Sequence, residues 1–224
     1  MKTHLLGIAA RGFLCILVAV LTVGLIWGAP ASDGGACPPT VVDVDSTGWD
    51  LRAGTFLGRA IGQTFYAPET LLTKVTVWRP YFASTGGAHL FVTEVNRGEN
   101  PPRPDTRRIL LDGPSIPLFT GEPGEIYELE YSLDPPLVLP GRGLYAFFIQ
   151  AQYCDIGEVR ILSTTKNPYH DGMIWLTNRA LSSCFLAPAD RGEDTTDIIF
   201  RIEYCDAPTP AKRKSWGEVK TIYR

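Results

Sequence analysis

Apolar and polar residues alternate with a period of two along most of the chain, a pattern typical of β-strands with one buried face. Residues 126–133 give the clearest case, because tyrosine and leucine alternate there with glutamate and serine. Residues 144–151 are almost continuously apolar, which predicts a central strand. Strands are predicted at 41–44, 61–67, 72–78, 89–95, 108–111, 126–133, 144–151, 159–163, 173–177 and 198–204.

The same alternation assigns side chains to faces. In 72–78 it predicts that Leu72 and Trp78 share one face and that Val75 and Val77 share the other. In 198–204 it places Ile198, Phe200, Ile202 and Tyr204 opposite Ile199, Arg201 and Glu203. Trp78 and Trp175 have apolar strand neighbours, so both are predicted to belong to the core.

Turn residues separate these segments: the chain holds 22 glycines and 18 prolines, many of them in adjacent pairs. Few intervals between them could hold a long helix, which excludes a parallel α/β architecture. Eight to ten strands with one apolar face each predict an all-β, antiparallel, two-sheet β-sandwich. A body of roughly 170 residues with long loops favours a jelly roll over a minimal immunoglobulin domain.

The N-terminus has the layout of a secretory leader. Lys2 and Arg11 precede an uncharged apolar run at 13–27, and Ala29-Pro30-Ala31 follows it. This run of 15 residues is shorter than the stretch of about 20 that a helix needs to span a bilayer. A cleaved leader is therefore predicted instead of a permanent anchor, with cleavage after Ala31. The protein is therefore expected to be secreted or periplasmic. The expected organisation is a signal peptide at 1–31, a β-sandwich domain at 32–206, a proline linker at 207–211 and a basic tail at 212–224.

Charge argues against nucleic acid as a partner. Residues 32–206 hold 14 basic and 23 acidic residues, a net charge of −9, whereas the whole chain carries −3. An acidic body does not attract a phosphate backbone. The tail differs, because it begins with three consecutive basic residues and carries apolar residues at helical spacing at Trp216, Val219 and Tyr223. We expect this tail either to fray or to contact an envelope surface or a sorting machinery.

Four cysteines remain after the leader, an even number that predicts two disulfides in a secreted protein. Cys37 opens the folded region and Cys205 closes its last strand, so the favoured pairs are Cys37–Cys205 and Cys154–Cys184. A zinc site is not predicted, since the chain has no CxxC motif. Calcium is the candidate metal, with Asp43, Asp45 and Asp206 as candidate ligands near the domain ends.

Four groups of residues form motifs along the body: Ile61-Gly62-Gln63-Thr64-Phe65, Pro140-Gly141 before Tyr145-Ala146-Phe147, Asn167-Pro168-Tyr169, and Asp197-Ile198 before Phe200-Arg201. Together they resemble jelly-roll modules of secreted bacterial proteins. The resemblance covers about residues 55–205. It implies the architecture of galactose-binding-like and carbohydrate-binding domains, without an assigned ligand and without a catalytic group.

No enzyme is predicted. After the leader only His89 and His170 could serve as a base for a serine nucleophile, and the Gly-x-Ser-x-Gly and His-Glu-x-x-His motifs are absent from the sequence. A glycoside-acting enzyme, which needs only two carboxylates, stays an alternative.

Sugar binding depends on aromatic faces and orienting polar groups, which the loops at 79–86 and 167–172 offer. The predicted ligand-binding residues are Tyr81, Phe82, Tyr169, His170 and Asp171. The predicted function is a secreted, non-catalytic module that binds a glycan or another surface polymer. A structural or cell-surface interaction protein without a small ligand is the alternative.

Overall fold

The computed structural model describes residues 39–56, 58–81, 86–118, 121–153, 157–166, 168–180 and 184–205, with 51–56 described by their backbone alone. These residues form thirteen strands and one short 3₁₀ turn at Ser46–Gly48. The strands are β1 (Pro39–Asp43), β2 (Leu51–Phe56), β3 (Ala60–Ala67), β4 (Leu71–Pro80), β5 (Gly87–Asn96), β6 (Arg103–Pro117), β7 (Ile126–Val138), β8 (Gly143–Ala151), β9 (Glu158–Thr164), β10 (Ile174–Thr177), β11 (Ala189–Glu193), β12 (Asp197–Ile198) and β13 (Phe200–Cys205).

All strand pairs are antiparallel. A four-stranded sheet has the order β1-β13-β4-β7, and a six-stranded sheet has the order β11-β10-β3-β8-β5-β6. A three-stranded sheet, β12-β9-β2, completes the fold. The prediction of an all-β, antiparallel protein is therefore confirmed. Within the described ranges, no helix combines the length and hydropathy needed to span a bilayer.

One hydrophobic core joins the two larger sheets, as in a β-sandwich. Phe65, Leu90 and Phe147 come from the six-stranded sheet, and Val75 and Tyr131 from the four-stranded sheet; all five are fully buried. Each sheet thus contributes one apolar face, which is the solution that one-sided strands require.

A second, smaller core lies on the other face of the six-stranded sheet. Phe91, Phe148 and Trp175 point to this side, where residues 184–188, called the strap below, cross the sheet and bury Leu186 against them. The strap is held by the backbone amide of Asn178, which donates to the carbonyl of Pro188 over 2.8 Å. Strand β8 is consequently buried on both faces, which explains its unbroken apolar sequence.

Each of the ten predicted strands has a counterpart, but the count of eight to ten was too low for the described residues. Strands β2 and β11 were missed because neither LRAGTF nor ADRGE alternates apolar with polar residues. The predicted face of Leu72 is also wrong. Against β13, β4 uses two residues from Leu72 to Lys74 where β13 uses one, and this bulge lets Leu72 join Val75 and Val77 in the core.

The alternation in β7 is confirmed, because Leu129, Tyr131 and Leu133 are buried and the residues between them are exposed. At the last strand the predicted alternation fails at Ile199. Alternation puts Ile199 and Phe200 on opposite faces, yet both side chains are fully buried. The reason is a break in pairing: Ile199 lies between β12 and β13, and its amide donates to the carbonyl of Leu162 over 2.9 Å.

The leader, the proline linker and the basic tail lie outside the described residues, as do Cys37, Cys154 and Asp206. Cys184 and Cys205 are described, and both are disulfide-bonded. The pairings Cys37–Cys205 and Cys154–Cys184 stay predictions.

Candidate functional site

A groove of about 330 Å³ opens on the outer face of the six-stranded sheet, beside the strap. Phe91, Ile109, Phe185 and Leu186 give it an apolar lining, and its polar groups are His89, Asp112, Gln150 and Gln152. Its size and its mixture of apolar surface with a few convergent polar groups are those of a small-ligand site. We therefore take this groove as the candidate functional site.

The strap forms one wall. Phe185 is 52% exposed, so its ring is available to a ligand, whereas Leu186 beside it is buried in the second core. Cys184 begins the strap with φ of 48°, a left-handed conformation that non-glycine residues seldom adopt. Its Sγ lies 3.4 Å from the carbonyl oxygen of Gln152. Backbone strain of this kind clusters at functional sites.

Strand β8 supplies a buried side-chain amide, that of Gln150, to the floor of the groove. Gln150 is 1% exposed, and its Nε2 donates to the carbonyl oxygen of Gly58 over 3.0 Å. This bond fixes the orientation of the side chain, since only one rotation of the amide presents a donor to Gly58.

The opposite wall carries a polar cluster centred on His89. Its Nδ1 lies 2.7 Å from Ser115 Oγ and its Nε2 lies 2.6 Å from Asp112 Oδ1. The imidazole also packs against the Phe91 ring, with ring centres 4.5 Å apart. Three polar side chains are thus joined by short contacts, with a ring contact that limits rotation of the imidazole.

A bulge in β6 makes this cluster possible. Residues 112 and 115 would face opposite sides of a regular strand, because side chains alternate with a period of two. Here His89 pairs with Ser115 and Phe91 pairs with Asp112, so β6 uses one residue more than β5 between these pairs. Gly113 suits the bulge, since a Cβ there would lie 3.0 Å from the carbonyl oxygen of Leu90. Both Asp112 and Ser115 therefore reach the same imidazole.

The aromatic loops predicted to bind sugar are placed elsewhere. Tyr81 is half-buried at the end of β4, where its amide donates to the carbonyl of Glu125 over 2.9 Å. Phe82 lies outside the described residues. Neither Tyr81 nor the loop at 167–172 contributes to the lining of the groove.

Tyr169 is engaged by the fold. Its ring meets Phe200 edge-on at 5.3 Å, and its hydroxyl accepts a hydrogen bond from the amide of Tyr66 over 2.7 Å. Burial raises the pKa of Tyr169 to about 12. His170 and Asp171 next to it are exposed. The hydroxyl and one ring edge of Tyr169 are thus occupied by the fold. In this loop, His170 and Asp171 are the predicted residues that stay exposed for a sugar contact.

A buried carboxylate holds this loop in place. Asp197 is fully buried and accepts hydrogen bonds from Gln63 Nε2 over 2.8 Å and from the Tyr169 amide over 3.0 Å. Burial raises the pKa of Asp197, and the two hydrogen bonds oppose that rise. The residue therefore has a structural role at the sandwich end.

The weak calcium candidates have other partners. Asp45 accepts hydrogen bonds from the amide and hydroxyl of Thr47, which cap the short 3₁₀ turn. Asp43 lies 3.9 Å from the guanidinium of Arg201. Among the described residues, no three His, Cys, Asp or Glu side chains are grouped so that they could hold a metal ion.

The comparisons with known proteins give no family. No protein-family model matches the chain, and no curated protein matches it. A solved structure of infectious bursal disease virus, Gt strain, is similar at 11% identity and a TM-score of 0.29. The similarity covers 83% of this chain and 46% of the viral chain, so the chain spans less than half of the length of that structure.

Proposed function

We propose that the chain is a secreted binding module of jelly-roll type whose groove binds a glycan or another surface polymer. The observation that carries the proposal is the groove itself, whose lining combines an exposed aromatic ring with hydrogen-bonding groups that the fold holds in place. Sugar recognition needs both, since apolar ring faces stack on aromatics and hydroxyl groups need oriented partners.

The strand order supports the jelly-roll part. Taking β1, β3 to β8 and β13 as eight successive strands, one sheet has the order first, eighth, third, sixth. The other contains second, seventh, fourth and fifth as neighbours. This is the order expected of a jelly roll, in which two Greek keys wrap into two sheets. It also agrees with the resemblance to carbohydrate-binding modules drawn from the motifs.

Secretion is supported by the apolar run at 13–27 and by the disulfide-bonded state of Cys184 and Cys205. Disulfides persist in oxidising compartments and are rare in the cytosol. In a secreted protein, the basic tail at 212–224 is proposed to contact an envelope surface or a sorting machinery. Removing residues 207–224 should change where the protein is retained and leave the thermal midpoint of the body unchanged.

The test is a glycan and polysaccharide screen of the secreted protein, followed by Phe185→Ala. Loss of the exposed ring should weaken binding of any retained glycan tenfold or more, which corresponds to about 1.4 kcal/mol. Tyr66→Ala is the matched control, because Tyr66 is 47% exposed and lies outside the groove lining. Its affinity should equal that of the wild type.

Two results would contradict the proposal. Equal weakening by Phe185→Ala and Tyr66→Ala would remove the groove from recognition. Retention of no glycan or polysaccharide, together with specific attachment to cells, would favour the alternative of a structural or cell-surface interaction protein.

A further inference from the structure

We propose that Ser115, His89 and Asp112 form an acyl-transfer centre in which Ser115 is an activated nucleophile towards small esters. The inference goes beyond the proposed binding and does not depend on it. It rests on the two short contacts of His89, at 2.7 Å to Ser115 and 2.6 Å to Asp112, and on the groove that reaches the imidazole.

The first step is the position of the imidazole proton. An ionised carboxylate can only accept hydrogen bonds, so Asp112 requires a donor at His89 Nε2. In the neutral imidazole the other nitrogen then carries a lone pair. Nδ1 is therefore the acceptor, and the Ser115 hydroxyl must donate to it. This is the arrangement of a serine nucleophile with its general base and an orienting carboxylate, with the roles of the two ring nitrogens exchanged.

The second step is access and rigidity. Ser115 is exposed beside the groove and is not part of its lining, whereas His89 lines the groove and 22% of its side chain is accessible, so an ester bound at the groove edge can approach the hydroxyl. The Phe91 ring beside the imidazole restricts its rotation. The bulge at Gly113 holds Asp112 and Ser115 on the same side of the strand, which keeps both partners in reach. Such preorganisation favours attack, because little ordering remains at the moment of reaction.

The reaction balances without a cofactor. Ser115 Oγ attacks the carbonyl carbon of the ester while its proton passes to His89 Nδ1. The bond to the alcohol oxygen then breaks, and the alcohol leaves with the proton from Nδ1. Water, deprotonated by the same nitrogen, attacks the acyl carbon on Ser115. The bond from that carbon to Ser115 Oγ then breaks, Oγ takes back the proton from Nδ1, and the carboxylic acid leaves. Asp112 touches no reacting atom and is a positioning residue, which stabilises the imidazolium that forms in each half of the cycle.

The magnitude expected is that of general base catalysis, about 10²–10⁴-fold. With p-nitrophenyl acetate as the probe, the serine-dependent rate should fall by about 10² or more in Ser115→Ala and in His89→Gln. Ser132→Ala is the matched control. Ser132 is also an exposed strand serine, and its hydroxyl donates to Glu130 over 3.0 Å, but no histidine accompanies it. Its rate should equal that of the wild type.

Diisopropyl fluorophosphate gives a readout besides turnover. Attack by Ser115 forms an oxygen–phosphorus bond and expels fluoride, which leaves a stable adduct. Ser115 and Ser132 fall in the same tryptic peptide, residues 109–142, so fragmentation must assign the adduct. Labelling of Ser115 alone, abolished by His89→Gln, is expected.

The role of Asp112 is read from the tautomer. Imidazole nitrogen-15 shifts of His89 should report a proton on Nε2 in the wild type, and Asp112→Asn should shift the population towards Nδ1. A change of stability alone would leave the tautomer unmoved.

Three results would overturn the proposal. In the first, Ser115→Ala hydrolyses the ester at the wild-type rate while His89→Gln loses that activity, because the imidazole would then react with the ester by itself. Another is equal labelling of Ser115 and Ser132 in the folded protein. The third is a wild-type tautomer with its proton on Nδ1. Circular dichroism and thermal midpoints of each variant separate these outcomes from a failure to fold.

Discussion

Gln63→Met is the sharpest test of how buried polar groups hold the sandwich together. Gln63 is fully buried, its Nε2 donates to Asp197 over 2.8 Å, and its Oε1 accepts from the Ile198 amide over 3.1 Å. Methionine keeps the length of the side chain and removes both polar groups. The variant therefore leaves one carboxylate oxygen and one amide without these partners.

The magnitude follows from what is left unsatisfied. A buried neutral group that loses its partner costs about 1–3 kcal/mol, and a charged group costs more. The sum is about 3–5 kcal/mol, a large part of the about 5–15 kcal/mol that stabilises a domain. For a protein of this size the thermal midpoint should fall by roughly 6–20 °C.

Gln150→Met is the matched control, because Gln150 is equally buried on the neighbouring strand and donates only to the neutral carbonyl of Gly58. Its cost should be about 1–2 kcal/mol. Both variants are measured by denaturant unfolding at neutral pH. If Gln63→Met is no more destabilising than Gln150→Met, the charge of Asp197 is unimportant and the reasoning is refuted.

The pH dependence carries the same argument. Burial raises the pKa of Asp197, so the folded protein binds this proton at a higher pH than the unfolded chain does. The contribution of this group to stability therefore rises as the pH falls from the raised folded pKa towards the unfolded value. Gln63→Met should raise the folded pKa of Asp197 further and so extend this pH range upwards, because it removes a donor that stabilises the charged carboxylate.

Three other stability predictions concern hydroxyl and carboxyl groups. Tyr131→Phe should cost about 1 kcal/mol, since the buried Tyr131 hydroxyl donates to the carbonyl of Ala88 over 3.2 Å. Tyr204→Phe should be neutral or stabilising in the same denaturant assay, because the Tyr204 hydroxyl has no hydrogen-bond partner among the described residues; a loss of 1 kcal/mol there would contradict this. Hydrogen bonds from the Thr165 hydroxyl and then its amide lower the pKa of Asp50. Asp50 therefore contributes to stability above its unfolded pKa of 3.8, and this contribution is lost as the pH falls through the folded pKa. Asp50→Asn should flatten the resulting decline of the unfolding midpoint between neutral pH and pH 3.

Much of the fold could be predicted because alternation is a local property. A strand such as β7 records its buried face in consecutive residues, and β8 records burial on both faces as a continuous apolar run. The prediction failed where that local record is interrupted. At Leu72 the register against β13 shifts by a residue, and β11 has the sequence ADRGE, which does not alternate and so carries no local sign of its pairing with β10.

The candidate site could not be predicted for a related reason. His89 and Ser115 are 26 residues apart and meet only through the register between β5 and β6. Asp112 joins them only because a bulge cancels the alternation that would otherwise separate it from Ser115. A search for short motifs sees none of this, and the exposure of Phe185 likewise depends on where the strap crosses the sheet. The Gly-Pro pair at 113–114 is a sequence signal of this irregularity, but such pairs also mark ordinary turns.

The irregular β6 also has a consequence for solubility. It is the outermost strand of the six-stranded sheet and, at 15 residues, the longest strand described. A flat edge of this length would be a template for strands of other molecules and hence for aggregation. Its three register irregularities against β5 twist that edge, its prolines remove amide donors, and Arg107 and Arg108 place charge on it. The bulge that brings Asp112 to His89 is therefore also one of the features that blunt this exposed edge, and deletion of Gly113 should remove the site and weaken that protection.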